Sequence, residues 1–324
     1  MQKRHKMYLN AIAFALALAY GGVGTALAGN NDATIDQTGG GNTATIDQTT
    51  HNPFNAAGGA TAAITQNGNA NAGTIVQDNG SGTIPIHATI NSTGDANTAT
   101  IVQRGLDFAS ATINQTGNLN NATITQDYPN PNPSNVWADG DVASVSQTGM
   151  LNHATIHQQG TSEAYCGIPS CTNRTSAQID QLGTSNTATV NQIGFPTQRT
   201  HATVSQNGTL LVATVNQSGN DNTATVTQTS TSNVATINQN ASNSTATVTQ
   251  GGAIGGSLAT VDQSGTWNEA TILQPASLNQ ATIVQTGLGT GAAPNIALVN
   301  QGSRLNTAFI SQAGGAGNHA TIRQ

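Results

Sequence analysis

The phrase Ala33-Thr-Ile-Asp-Gln37 returns eleven residues later as Ala44-Thr-Ile-Asp-Gln48, and near copies of it recur to the last residue. A period this short constrains the fold more tightly than any other feature, because each period must be one structural unit that leans on its neighbours. Twenty-three phrases of the form Ala-Thr-(Ile or Val)-x-Gln, or close to it, can be read from Ala33 to Ala320, and one of them, Ala88-Thr-Ile-Asn-Ser92, lacks its closing glutamine. From the first phrase to the second, the third to the fourth and so on, the step is eleven residues, except that Ala246 to Ala259 is two longer. The alternate steps run from eleven to twenty-three. One connection is held tight and the other accepts insertions, which is the behaviour of a two-sided coil with one constrained edge.

Each phrase reads as a strand. In Asn42-Thr-Ala-Thr-Ile-Asp-Gln48, alternation puts Asn42, Ala44, Ile46 and Gln48 on one face and Thr43, Thr45 and Asp47 on the other. Ala and Ile are the apolar pair, so their face is expected to point inward. Thr, Ile and Val favour extended backbone. Charged residues are 7% of the chain and aromatics 3%, too few large side chains for one thick core. A thin core repeated many times is what remains: an all-β chain, a β-solenoid of stacked strand-turn-strand coils, about eleven and a half of them, with amyloid-like stacking. Like strands then lie over like strands. Inward Gln and Asn stack on their own copies, and a ladder of amides satisfies groups that would each cost about 1–3 kcal/mol if buried alone.

Residues 1–28 have the pattern of a secretory signal peptide: Lys3, Arg4 and Lys6, an apolar run from Tyr8 to Tyr20, and Ala26-Leu27-Ala28 as the cleavage site. The run is short for a bilayer span, so no membrane segment is expected after cleavage. Residues 29–324 form the repeat domain, with loop insertions near 49–61, 78–87, 127–142, 159–176 and 286–296. Tyr128 and Trp137 in the third insertion are expected to cover the coil beneath. Removing the leader removes both lysines and leaves five arginines against fourteen carboxylates, a net charge of −9. Nucleic acid is therefore an unsuitable partner, since phosphate binding needs clustered Lys and Arg. Cys166 and Cys171, in Cys-Gly-Ile-Pro-Ser-Cys, are expected to form a local disulfide in an exported protein; the spacing is not the C-x-x-C of a redox pair.

The spacing Gln-x-Gly-x-x-Asn-x-Ala-x-x-x-Gln resembles the curlin repeat of curli fibre subunits. It runs through Gln37, Gly39, Asn42, Ala44 and Gln48, and recurs at Gln115, Asn120 and Gln126, at Gln147, Asn152 and Gln158, at Gln181, Asn186 and Gln192, at Gln217, Asn222 and Gln228, and at Gln263, Asn268 and Gln274. The resemblance implies a β-solenoid subunit, exported through an outer-membrane pore, that polymerises at the bacterial surface into amyloid-like fibres of the biofilm matrix. It also implies as partners other copies of the chain, and possible partners in a nucleator subunit and the secretion pore.

No Ser, His and Asp set is marked by spacing, and neither an enzyme nor a cofactor is expected. His153 and His157 flank Thr155 on an outward face, and a metal there would need a third ligand from a neighbouring coil. The phrases stop on Ala320-Thr-Ile-Arg-Gln324, a twenty-third strand with no partner in its own coil, and residues after 28 hold no Lys to blunt an edge. Both ends are expected to template another copy head to tail, with inward residues from Gln37 to Gln324 as the ladder. Two alternatives stand beside this reading. Thr45, Thr100, Thr189, Thr225 and Thr247 are expected to form one ladder on one sheet, an array similar to that of ice-binding β-helices; a monomeric surface adhesin is the other.

Overall fold

The computed structural model describes residues 5–10, 13–18, 24–26, 31–50, 59–79, 86–105, 109–127, 141–160, 175–194 and 199–324. Cys166, Cys171, Tyr128 and Trp137 lie outside them, as do most of the first four insertions. All regular structure among the described residues is strand, and no helix is long and apolar enough to cross a membrane. The chain divides into two compact units, Met1–Arg174 and Thr175–Gln324.

Both units are β-solenoids. In the first, Asp32–Thr38, Thr61–Asn67, His87–Thr93, Ser110–Asn118 and Val142–Met150 form one parallel sheet. Thr43–Thr50, Ala72–Asn79, Thr98–Arg104, Asn121–Asp127 and His153–Gly160 form the other. Successive strands alternate between the sheets, so one strand from each makes a coil. In the second unit, one sheet holds Ser176–Thr184, His201–Thr209, Thr223–Thr231, Thr245–Gln250, Asn268–Gln274, Asn295–Asn300 and His319–Arg323. The other holds Thr187–Gly194, Val212–Ser218, Val234–Ser242, Leu258–Thr266, Gln280–Gln285 and Thr307–Gln312.

The register aligns phrase with phrase. Ala111 pairs with Ala143, Ile113 with Val145 and Gln115 with Gln147, and the same matching holds at Ala213 with Ala235 and Gln217 with Gln239. A shift by one residue would turn Ile and Gln outward on the shifted strand, so the alternation fixes the register. Ala44, Ile46, Ile64, Ile101 and Val226 are among the buried core positions. Each buried Ile or Val contributes about 1.5–3 kcal/mol through removal of apolar surface from water. The core is one Ile and one Ala deep from each strand, and the sheets meet closely: at Gly73, which replaces Ala in its phrase, a Cβ would lie 3.0 Å from Ile64 Cγ2.

Ahead of the first coil, the backbone of His5–Asn10 and Ala13–Leu18 runs antiparallel to Asp32–Thr38 and Thr43–Thr50. Every ladder between curlin-like phrases described above is parallel, so these two segments do not continue the pattern.

Tight corners set the coil. Gly117 has φ 113° and its turn lies under that of the next coil, where a Cβ would come 2.0 Å from the carbonyl oxygen of Gly149. Two residues on, Leu119 also has positive φ, 58°, a conformation that costs an L residue about 1–2 kcal/mol. Ala70, Ala96 and Leu151 take the same corner position, as do Ser185 and Leu210 in the second unit. Replacing Gly117 by Ala is expected to destabilise the protein by at least about 1 kcal/mol in urea unfolding. Gly40→Ala, where the nearest atom to the new Cβ is Asn69 Oδ1 at 3.6 Å, should stay within about 0.5 kcal/mol of the parent. Equal effects at the two positions would mean that the stacked corner is not a constraint.

Candidate functional site

The closing glutamines of the interior coils point between the sheets, where they are buried from water. Gln48, Gln77, Gln103, Gln126 and Gln158 are each no more than 1% exposed. Their carboxamides form one continuous row: Nε2 of Gln48 donates to Oε1 of Gln77 at 2.8 Å, Gln77 to Gln103 at 2.9 Å, Gln103 to Gln126 at 2.8 Å and Gln126 to Gln158 at 2.8 Å. A carboxamide has two N–H donors, and the second is used across the coil. Gln48 Nε2 also donates to the Ala60 carbonyl at 3.0 Å, and Gln115 Nε2 donates to the Thr98 carbonyl at 2.9 Å. A glutamine with both bonds ties its coil to the next and one sheet to the other.

The second unit repeats the arrangement twice. Gln181, Gln206, Gln228, Gln250, Gln274, Gln301 and Gln324 form one row, with bonds of 2.8–3.1 Å. Gln192, Gln217, Gln239, Gln263, Gln285 and Gln312 form the other, with bonds of 2.7–2.9 Å. In all of these bonds the earlier coil donates and the later coil accepts. The rows have a direction. At the start of its row Gln48 Oε1 is buried and has no hydrogen-bond partner.

In the other row of the first unit Gln37 donates to Gln66 at 2.7 Å and Gln115 to Gln147 at 3.0 Å. Between them stands Ser92, from the phrase without glutamine. Its hydroxyl donates to Gln115 Oε1 at 3.2 Å, so a shorter side chain supplies the donor that a carboxamide would have given.

The inward asparagines do different work. Asn42 Nδ2 donates to the carbonyls of Thr38 at 3.1 Å and Gly68 at 2.8 Å, and its Oδ1 accepts from the backbone N–H of Asn71 at 2.9 Å. Asn71, Asn97 and Asn120 repeat this, clamping the tight turn of one coil to that of the next. Asn186, Asn222 and Asn268 hold corners of the second unit in the same way, with bonds to the carbonyls of Gly208, Ala241 and Gly287. Stacking of every inward Asn on its own copy does not hold throughout. At the insertion-bearing edge of the first unit the corresponding positions are Ala60, Ile86 and Ala109, a small apolar cluster. Ser244 and Ser257 stand at two corners of the second unit, where their hydroxyls accept from the N–H groups of Asn268 and Asn279. Neither set carries the motif's asparagine, so the spacing alone does not mark these corners.

The outward threonines need a correction. Thr45 pairs with Thr74 and Thr74 with Thr100 in one sheet of the first unit, and Thr189 begins the row Thr214, Thr236, Thr260 and Thr282 in the second. Thr225 and Thr247 belong to the opposite sheet of the second unit. Phrases alternate between sheets, and these two stand at odd places in the order. The expected ladder on one sheet is therefore divided. The row from Thr189 is flanked by the exposed apolar side chains of Val212 and Leu258.

Among the described residues, ion pairs are few and lie on the surface: Arg104 with Asp127 at 3.7 Å and Arg199 with Asp221 at 2.9 Å. Exposed pairs of this kind contribute little to stability.

Parallel coils with directional carboxamide rows define a β-solenoid repeat protein. The family model of the curlin associated repeat matches residues 29–52, 94–127, 201–229, 220–252 and 256–287. These stretches are curlin-type repeats, the repeat that the glutamine and asparagine spacing resembles. No curated protein gives a match.

Replacing Gln126 by Leu removes the acceptor of Gln103 and a donor to Gln158, and should cost about 1–3 kcal/mol for each group left without that bond. Thr125→Ala, one residue earlier on the outward face, should change stability by no more than about 0.5 kcal/mol. Denaturant unfolding of the two variants separates these outcomes.

Proposed function

We propose that this protein is a secreted structural subunit that assembles head to tail into curli-like amyloid fibres at the bacterial surface, for adhesion and aggregation. In this reading residues 1–28 are removed on export, an outer-membrane pore passes the chain, and a nucleator subunit can start the fibre. The observation that carries it is the direction of the glutamine rows together with the buried, unpartnered Oε1 of Gln48. That oxygen lacks what the later glutamines of its row receive from the coil before them, a carboxamide N–H from a parallel strand. A strand of the same phrase brings that donor with Ile and Ala already in register, so the best available partner is another copy of the chain. Head-to-tail contacts of this kind do not close and produce filaments.

The test is residues 29–324, purified and left at neutral pH. Fibres with a meridional reflection near 4.7–4.8 Å are expected; a folded monomer that stays soluble contradicts the proposal. Gln48→Leu should suppress fibre growth, whereas Asp47→Asn, on the outward face, should change only its rate. Thioflavin fluorescence and electron microscopy on both variants distinguish these effects.

A further inference from the structure

Inward positions are committed to the fold, so any additional binding function has to come from outward rows, and one of these differs from the rest. In the second unit the outward residue before the closing glutamine is Asn191, Asn216 and then Asn238 in three successive coils, followed by Asp262. Asn191 Nδ2 donates to Asn216 Oδ1 at 2.8 Å, Asn216 to Asn238 at 2.8 Å, and Asn238 to Asp262 Oδ1 at 2.6 Å. Two residues further along the strands a second row holds Ile193, Ser218 and Asn240, with Ser218 Oγ donating to Asn240 Oδ1 at 3.0 Å. Between the two rows runs an open groove of about 290 Å³.

We propose that this groove binds a neutral, linear, β-linked glycan lying along the stacking axis. Two residues of strand separate the rows by about 6.6 Å, the width of a pyranose ring, and the coils repeat every 4.8 Å or so, close to the advance of one sugar in an extended β-1,4 chain. The rows supply complementary chemistry. Asn216 and Asn238 each spend one N–H and one oxygen lone pair along the row, which leaves a donor and an acceptor on each for hydroxyls. Ile193, 42% exposed, offers an apolar surface to the C–H face of a ring. Asp262 ends the amide row with a carboxylate, and the part of the chain after residue 28 is strongly acidic, so a polyanion is repelled where a neutral chain is not. In the first unit the corresponding outward residues from Asp47 to His157 are Asp, Val, Val, Thr and His, with no amide row.

The experiment is equilibrium depletion of fluorescent cellohexaose and chitohexaose by the protein, which works on monomer and on fibres alike and so is independent of whether the chain assembles. Saturable binding of at least one neutral hexamer, with no binding of a galacturonate hexamer, is expected. The double variant Asn216→Val/Asn238→Val should weaken binding at least tenfold while keeping the parent's circular dichroism spectrum. Asn114→Val, which breaks the isolated Asn91–Asn114 pair of the first unit, should leave binding unchanged. In the parent, saturating hexamer should shift the side-chain carboxamide signals of Asn216 and Asn238 in nuclear magnetic resonance spectra. Absence of saturable binding, or binding that leaves those signals in place and survives the double variant, would overturn the proposal.

Discussion

The hydrogen bond from the Nε2 of one buried glutamine to the Oε1 of the next is the interaction on which the rest of the molecule depends. A core made of one Ile and one Ala per strand removes little apolar surface from water, and it leaves space between the sheets that some side chain must fill. Glutamine fills it with a polar group whose burial would be unfavourable in isolation. Stacking at the strand repeat converts that liability into a continuous row, since a carboxamide donates on one side and accepts on the other. The second N–H, bonded across the coil to a backbone carbonyl, leaves little freedom for the coil to slip. Register, coil width and direction all follow from one residue type at one position.

The corners complete the constraint. A turn must reverse the chain and also lie flat under the turn of the next coil, which excludes a side chain where Gly117 passes the Gly149 carbonyl. Asparagine then fastens one turn to the next. Together these residues account for nearly everything that is invariant from phrase to phrase. Outward positions are released from the fold, which is how Thr, Asp, His, Val and Asn can alternate there without disturbing the ladder, and how one face can acquire a row of its own.

Much of this was legible in the residues. Alternation in Asn42 to Gln48 assigns inward and outward faces without ambiguity, and the contrast between constant and variable steps separates the two edges. The curlin spacing can be read directly from Gln37, Gly39, Asn42, Ala44 and Gln48. What could not be read has physical causes. The direction of the glutamine rows depends on side-chain rotamers, which a periodic sequence does not encode. Ser92, Ser244 and the Ala60, Ile86 and Ala109 cluster replace motif residues by others that satisfy the same space in a different way, so they look like lapses in the repeat. Thr225 and Thr247 share their residue type with Thr45 and Thr189 but stand at odd places in the order of strands, which puts them on the opposite sheet. Leucines at corners with positive φ, such as Leu119 and Leu210, run against local preference, so residue type does not mark those corners.

Side-chain hydrogen exchange tests the central claim most directly. If the carboxamide rows hold the coils together, the Nε2 protons of Gln103, Gln228 and Gln239 should exchange with solvent only on the timescale of global unfolding, well after those of exposed Asn240. Nuclear magnetic resonance spectra of folded protein transferred into deuterated buffer would show their signals persisting after the surface amides have vanished. Loss of the buried glutamine signals as fast as that of Asn240 would contradict the account, because it would mean that the rows are open to water and do not carry the fold.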